Sequence, residues 1–114
     1  MNVNEKLEST LETIGLPVAY GIYEGAEPEY IVWNYSSREP VEYCNDEPES
    51  EVSNIQVHLY CKENRDYTED LSKIKKTLLQ EGFDYPGTSL EIYETDTGLW
   101  HICLETAIAY DIEK

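Results

Sequence analysis

The side chains best suited to catalysis or metal binding are His58, His101, Cys44, Cys61 and Cys103, the full complement of two histidines and three cysteines in a 114-residue chain. A zinc site needs thiolates and imidazoles converging on one point. The densest candidate set is His58, Cys61, His101 and Cys103. On strands, side chains alternate between faces. His101 and Cys103 would therefore share a face, while His58 and Cys61 would point to opposite ones. The set does not converge, and small thiols and half-exposed imidazoles in packing roles account for it better than a metal centre. A cysteine nucleophile needs a base beside it. Cys103 near His101 or His58 across a sheet is the conceivable pairing, and strand neighbours of this kind more often pack than react.

The remaining catalytic signatures are missing. There is no glycine-rich phosphate loop, no Gly-x-Ser-x-Gly elbow and no His-Glu-x-x-His. Carboxylates abound, with 24 Asp and Glu, but a catalytic pair needs two acids in distinct environments. Abundance singles out none. No catalytic residue, cofactor or metal is expected, and the chain reads as a non-enzyme.

Aromatic residues carry more information. Ten Tyr and two Trp exceed what one small core consumes. Trp33 and Tyr35 alternate with Val32 and Asn34, so one pair faces the helices and the other faces out. Exposed Tyr and Trp are enriched at protein–protein hot spots. Trp33, Tyr35, Tyr43 and Tyr60, with the acids Asp46, Glu47, Glu49 and Glu51, are the candidates for a subunit or partner interface. An open sheet edge would invite pairing with another chain.

The elements that position these residues follow from periodicity. Val3, Leu7, Leu11 and Ile14 form one apolar stripe and predict a helix over Val3 to Ile14. Asn2 is its N-cap, Glu5 stands in capping-box position, and Gly15-Leu16-Pro17 is its stop. Val18 to Tyr23 and Glu29 to Tyr35 read as strands, with Gly25-Ala26-Glu27-Pro28 as a hairpin loop between them. Ser36 to Ser53 is the least ordered part by composition. It holds Pro40, Pro48, four Ser and the acids Glu39, Glu42, Asp46, Glu47, Glu49 and Glu51, with a short strand around Val41 to Cys44 inside it. Asn54 to Lys62 alternates with period two, a strand with one buried face. A second helix spans Tyr67 to Glu81, with Asp66 and Glu69 as capping box and Gly82 as stop. Ser89 to Glu94 and Leu99 to Ile112 flank the turn Asp96-Thr97-Gly98. Trp100, Ile102, Leu104, Ile108 and Ile112 fall on one face of the last strand; His101, Cys103, Glu105, Ala107 and Ala109 fall on the other. The expected fold is α+β, a two-layer sandwich in the order α-β-β-(β)-β-α-β-β, with a mostly antiparallel sheet and both helices on one face. The length suits a single domain over residues 1–114.

Composition narrows the function. Eight Lys and Arg against 24 Asp and Glu give a net charge of −16. That argues against binding nucleic-acid phosphates or anionic membranes. The 40% hydrophobic content is too high for an acidic disordered tail. No apolar run approaches a membrane span, and Met1 to Glu12 lacks the basic-then-apolar pattern of a signal peptide. An odd cysteine count without short spacings is no disulfide framework and fits a reducing cytoplasm.

Several segments, taken in order, resemble the small tail-completion or tail-terminator (head–tail joining) proteins of long-tailed bacteriophages and of prophages of Gram-positive hosts. They are the first helix ending in Gly15-Leu16-Pro17-Val18-Ala19-Tyr20, Glu29-Tyr30-Ile31-Val32-Trp33-Asn34, Tyr43-Cys44-Asn45-Asp46-Glu47 and Ile55-Gln56-Val57-His58-Leu59-Tyr60. The second helix and the hairpin from Tyr93-Glu94-Thr95-Asp96 to Leu104-Glu105-Thr106-Ala107 complete the match, which runs over most of the chain. It is a pattern of structural segments rather than a catalytic fingerprint. The resemblance implies a virion-tail protein, assembled in the host cytoplasm, that forms a ring, commonly of six copies, on the head-proximal end of the tail tube. Its implied partners are further copies of itself, the tail-tube protein and the head-connector protein. DNA would pass through the lumen without specific binding, which an acidic lining favours. The resemblance implies no cofactor and assigns no catalytic position. Ser36 to Ser53 is expected to project from the sandwich and help form the ring. A competing reading is an acidic inhibitor that imitates DNA and binds a DNA-handling enzyme.

Overall fold

The computed structural model describes residues 2–44 and 46–112, with Tyr43 and Cys44 described by their backbone alone. The elements are α1 (Val3–Glu12), β1 (Val18–Tyr20), β2 (Tyr30–Cys44), β3 (Glu47–Lys62), α2 (Thr68–Gln80), β4 (Gly87–Glu94) and β5 (Leu99–Asp111). The fold is α+β, with two helices and one five-stranded open sheet in the spatial order β1-β2-β3-β5-β4.

The helices form where cap and stripe coincide. Asn2 Oδ1 accepts from the Glu5 amide at 3.3 Å, and Val3, Leu7 and Leu11 are buried. In α2 the cap sits differently from the expected capping box. Asp66 Oδ1 accepts from the Thr68 amide at 3.0 Å, and Tyr67, with no side-chain cap bond, holds the cap position. Gly82, at φ 94°, ends the helix in the left-handed conformation that a side chain resists.

Both helices lie on one face of the sheet. Leu7, Leu11, Ile74 and Leu78 join Ile31, Trp33, Ile55, Val57, Leu59, Ile102 and Leu104 in a single core. The register explains why these strand residues agree. Ile31 pairs with Leu59 and Trp33 with Val57, while Leu59 pairs with Ile102 and Val57 with Leu104. Alternation then sends His58, Tyr60, His101 and Cys103 to the far side of the sheet. Burial of each large aliphatic side chain contributes about 1.5–3 kcal/mol.

Two connections depart from the expected pattern. The segment around Gly25–Pro28 does not join an antiparallel hairpin. β1 pairs with β2 in parallel, Val18 against Ile31 and Tyr20 against Trp33. Gly21 turns the chain at φ 78°, and the connection returns it to the start of β2. Parallel placement puts Val18 and Tyr20 against the core side of β2, which an exposed three-residue edge strand needs for anchorage.

The second departure is Ser36–Ser53. It is a β-hairpin arm, not a loosely ordered loop, and the short strand expected at Val41–Cys44 is the end of β2. Pairing keeps one register from Ser37–Asn54 to Cys44–Glu47, interrupted at Glu42, whose φ is 56°. β5 supports the root of the arm as far as the Ser50–Asp111 pair; beyond it the arm has two strands. Both prolines are tolerated because each sits in a strand with an open edge at its level. The arm accounts for the elongated shape, 55 × 25 × 24 Å.

Candidate functional site

The sheet face turned away from the helices carries a continuous chain of polar contacts. His101 Nδ1 lies 3.1 Å from Glu94 Oε2, and His101 Nε2 lies 2.8 Å from His58 Nδ1. His58 Nε2 is 2.9 Å from Asn34 Oδ1. Asn34 Nδ2 donates to Gln56 Oε1 at 3.1 Å, and Gln56 Nε2 donates to Glu105 at 3.2 Å. The acceptors fix the direction. Asn34 Oδ1 can only accept, so His58 Nε2 carries a hydrogen and the neutral ring accepts at Nδ1 from His101 Nε2. Glu94 accepts at the other end. Every contact is satisfied when one proton lies between Glu94 and His101. Burial, and then the neighbouring His101, hold the His58 imidazole below its ordinary pKa, which favours the neutral ring.

An aromatic ladder crosses the same face. Tyr23 stacks on Tyr30 at 4.3 Å, Tyr30 on Tyr60 at 4.8 Å and Tyr60 on His101 at 4.4 Å. Tyr60, an interface candidate, is thus half-buried within this ladder. The pairing of His58 with His101 escaped the sequence reading because it joins different strands diagonally. Only the register that puts Tyr60 opposite His101 brings the two rings together.

Among the metal and nucleophile candidates, Cys61 stands apart from His58, His101 and Cys103, as alternation requires. Cys61 lies at the helix side and Cys103 on the far side, both as buried free thiols. Burial pushes the Cys61 thiol up to about 11 despite the nearby Arg65 guanidinium, and burial raises Cys103 as well. Thiols held protonated are poor nucleophiles. Cys103 stands opposite His58 in the register, but its Sγ approaches the Leu104 carbonyl at 3.9 Å. Among the described residues no group of three or more His, Cys, Asp or Glu could hold a metal.

The interface candidates fall in three places. Trp33 is a core residue with 0% exposure, so no partner reaches it on the folded monomer. This corrects its candidacy as a surface contact. The reason is that the Trp33–Tyr35 side of β2, not the Val32–Asn34 side, faces the helices. Tyr20 covers Trp33 by stacking at 4.4 Å. Trp33 Nε1 has no hydrogen-bond partner among the described residues. Tyr35 is half-buried beside the core; its hydroxyl donates to Asn4 Oδ1, and the Arg38 guanidinium lies 3.8 Å over its ring. Tyr43 is on the arm, with its side chain outside the described residues. Asp46, Glu47 and Glu49 are exposed on the arm, with Asp46 at φ 65° in the tip. Glu51, nearer the root, accepts from the Tyr110 hydroxyl.

Other surfaces carry residues that were not singled out from the sequence. β1 and β4 form the two edges of the sheet. The β1 end exposes Tyr20 and Ile22, and β4 exposes Leu90 and Ile92. On α2, Lys73, Lys76 and Leu79 are exposed together. An open groove of about 710 Å³ runs beside Gly15–Val18 and Glu27–Glu29. Among the described residues no helix is long and apolar enough to cross a membrane. No protein-family model and no curated protein sequence matches this chain.

Proposed function

We propose that this chain is a non-enzymatic structural protein of a long-tailed bacteriophage or prophage. It caps the head-proximal end of the tail tube as a ring and joins the tail to the head. The observation that carries this reading is the projecting acidic arm beside two unlike open sheet edges. A ring joins copies heterologously, each presenting one patch to a different patch on its neighbour. The β1 edge, with Tyr20 and Ile22, and the β4 edge, with Leu90 and Ile92, are such unlike patches. The net charge of −16 supports passage of DNA through a lumen without adhesion. The order of segments resembling tail terminators supports the same reading.

Tube capping tests the proposal. Purified protein added to polymerising tail-tube protein of the same phage should halt growth and appear as a ring at one tube end by electron microscopy. Tubes of unaltered length with bare ends would refute it. The elongated acidic body, 55 × 25 × 24 Å, favours a second reading as a DNA mimic. A mimic would instead bind a DNA-handling enzyme with steep salt dependence.

A further inference from the structure

We propose that His58 is a proton-operated latch on the sheet face turned away from the helices. With one proton in the Glu94–His101–His58 chain the ring lies over Cys103; a second proton turns it out to solvent. The geometry of the two rings is the first support. His58 Nδ1 and His101 Nε2 stand 2.8 Å apart, while the ring centroids are 5.0 Å apart, so the rings meet tip to tip rather than stacked. Their outer nitrogens are fixed, His58 Nε2 at 2.9 Å from Asn34 Oδ1 and His101 Nδ1 at 3.1 Å from Glu94 Oε2. One proton gives every contact a donor and an acceptor. A proton added at His58 Nδ1 sets two N–H groups of two cations against each other, so attraction becomes repulsion.

His58 is the ring that yields. His101 is held by the Glu94 carboxylate and stacks on Tyr60 at 4.4 Å. Among the described residues the other polar contact of His58 is the neutral Asn34. The ionisable groups around it are Tyr30 from β2, Tyr60 from β3, His101, Cys103 and Glu105 from β5, and Glu94 from β4; both helices lie on the opposite face. Glu94 is engaged by His101 and Glu105 by Gln56. Burial keeps the two tyrosines and the thiol protonated. Among the described residues no carboxylate hydrogen-bonds His58 to offset a charge there. Burial, and then His101, hold the ring below its ordinary pKa, and a move into solvent removes both penalties.

The register shows what the ring covers. Val32, His58, Cys103 and Leu90 stand side by side across β2, β3, β5 and β4. Directly opposed side chains on one face are about 4.5–5.5 Å apart at Cβ. Cys103 is buried although the helices pack on the other face, and Leu90 on its far flank is itself exposed. His58 therefore supplies its cover on the β3 side. Cys61 belongs to the helix-covered core and takes no part, which makes it an internal control. The latch stands apart from the tail-terminator reading.

Labelling of the cysteines by dithiodipyridine, a disulfide reagent active in acid, tests the latch on the full chain. Rates are divided by that of free cysteine at the same pH, mass spectrometry identifies the labelled residue, and circular dichroism checks folding. From about pH 7.5 to about pH 5, relative labelling of Cys103 should rise about tenfold or more, since the protonated fraction of a histidine changes about tenfold per pH unit above its pKa. Cys61 should stay protected throughout. Nitrogen NMR should show His58 Nδ1 gaining its proton over the same interval, below the ordinary histidine value of about 6.5. In His101→Gln the neutral amide can rotate to accept from a protonated His58, and in His58→Leu the cover cannot be charged. Both variants should keep Cys103 covered in acid. An unchanged Cys103 rate in wild type overturns the inference, as does a rise of wild-type size in either variant. Parallel labelling of Cys61 and Cys103 would mean that the chain unfolds as a whole, and would overturn it too. So would a His58 that gains its second ring proton while Cys103 stays covered.

Discussion

Trp33 and His58 stand on neighbouring, paired strands but on opposite faces of the sheet, and each shows how one residue's environment sets its role. Trp33 fills the core at 0% exposure, and its indole nitrogen has no partner among the described residues. Truncating a buried Trp costs about 3–5 kcal/mol, against a typical domain stability of about 5–15 kcal/mol. Trp33→Ala should therefore lower the urea midpoint severely or unfold the chain; an unchanged midpoint would contradict its place in the core. His58 behaves differently. Its folded pKa is depressed by burial and by His101, so the folded state binds fewer protons than the unfolded state. Its stabilising contribution is present above the ordinary histidine value of about 6.5 and is lost as pH falls through the folded value. Wild type should lose stability between about pH 7 and pH 5, and His58→Gln should flatten part of that slope. Urea titrations across that range measure it. Glu94 and Glu105 terminate the same network, so the comparison between wild type and variant isolates the histidine.

At the scale of elements, the arm and the body separate cleanly. The core residues belong to α1, α2 and the body of the sheet, whereas residues 41–49 form a two-stranded extension. Replacing residues 41–50 with Asn-Gly would close the hairpin on the Pro40–Glu51 pair, using a turn suited to two-residue connections. The shortened chain should keep its circular dichroism spectrum and melt within a few degrees of wild type, and it should fail to cap tail tubes. A collapse of the body on trimming would show that the arm supports the fold. The β4–β5 turn is a more local device. Gly98 adopts φ 72°, so Gly98→Ala should destabilise by roughly 1 kcal/mol or more through backbone strain alone. Equal melting temperatures of variant and wild type would refute that.

At the scale of the whole molecule, the excess of acids over bases sets a global repulsion. Charge far from zero destabilises a compact state by self-repulsion. The folded monomer should therefore gain stability as salt rises from about 0.01 M to about 0.2 M, a range over which the Debye length falls severalfold. Urea denaturation of the wild type at low protein concentration measures this term. A stability that does not change with salt would mean that local pairing, not net charge, governs the monomer. The shape matters equally. A body of 55 × 25 × 24 Å that carries its acidic arm as a two-stranded extension has unlike parts, as the proposed head-to-tail ring requires.

The sequence alone determined what is local. Asn2 caps α1, Gly82 and Gly98 stop and turn the chain, and alternation over Asn54 to Lys62 separates Cys61 from His58, because propensity, capping and side-chain period act over a few residues. Which face of β2 meets the helices was undecided between Trp33–Tyr35 and Val32–Asn34, since each set mixes an apolar body with polar groups and alternation alone does not rank them. Tertiary structure chose the Trp33 side. It also set β1 parallel to β2, turned the polar stretch Ser36–Ser53 into a paired arm, and brought His58 against His101. Those outcomes depend on which strands become neighbours and in what register, and such pairing is fixed by the assembled core rather than by any short segment.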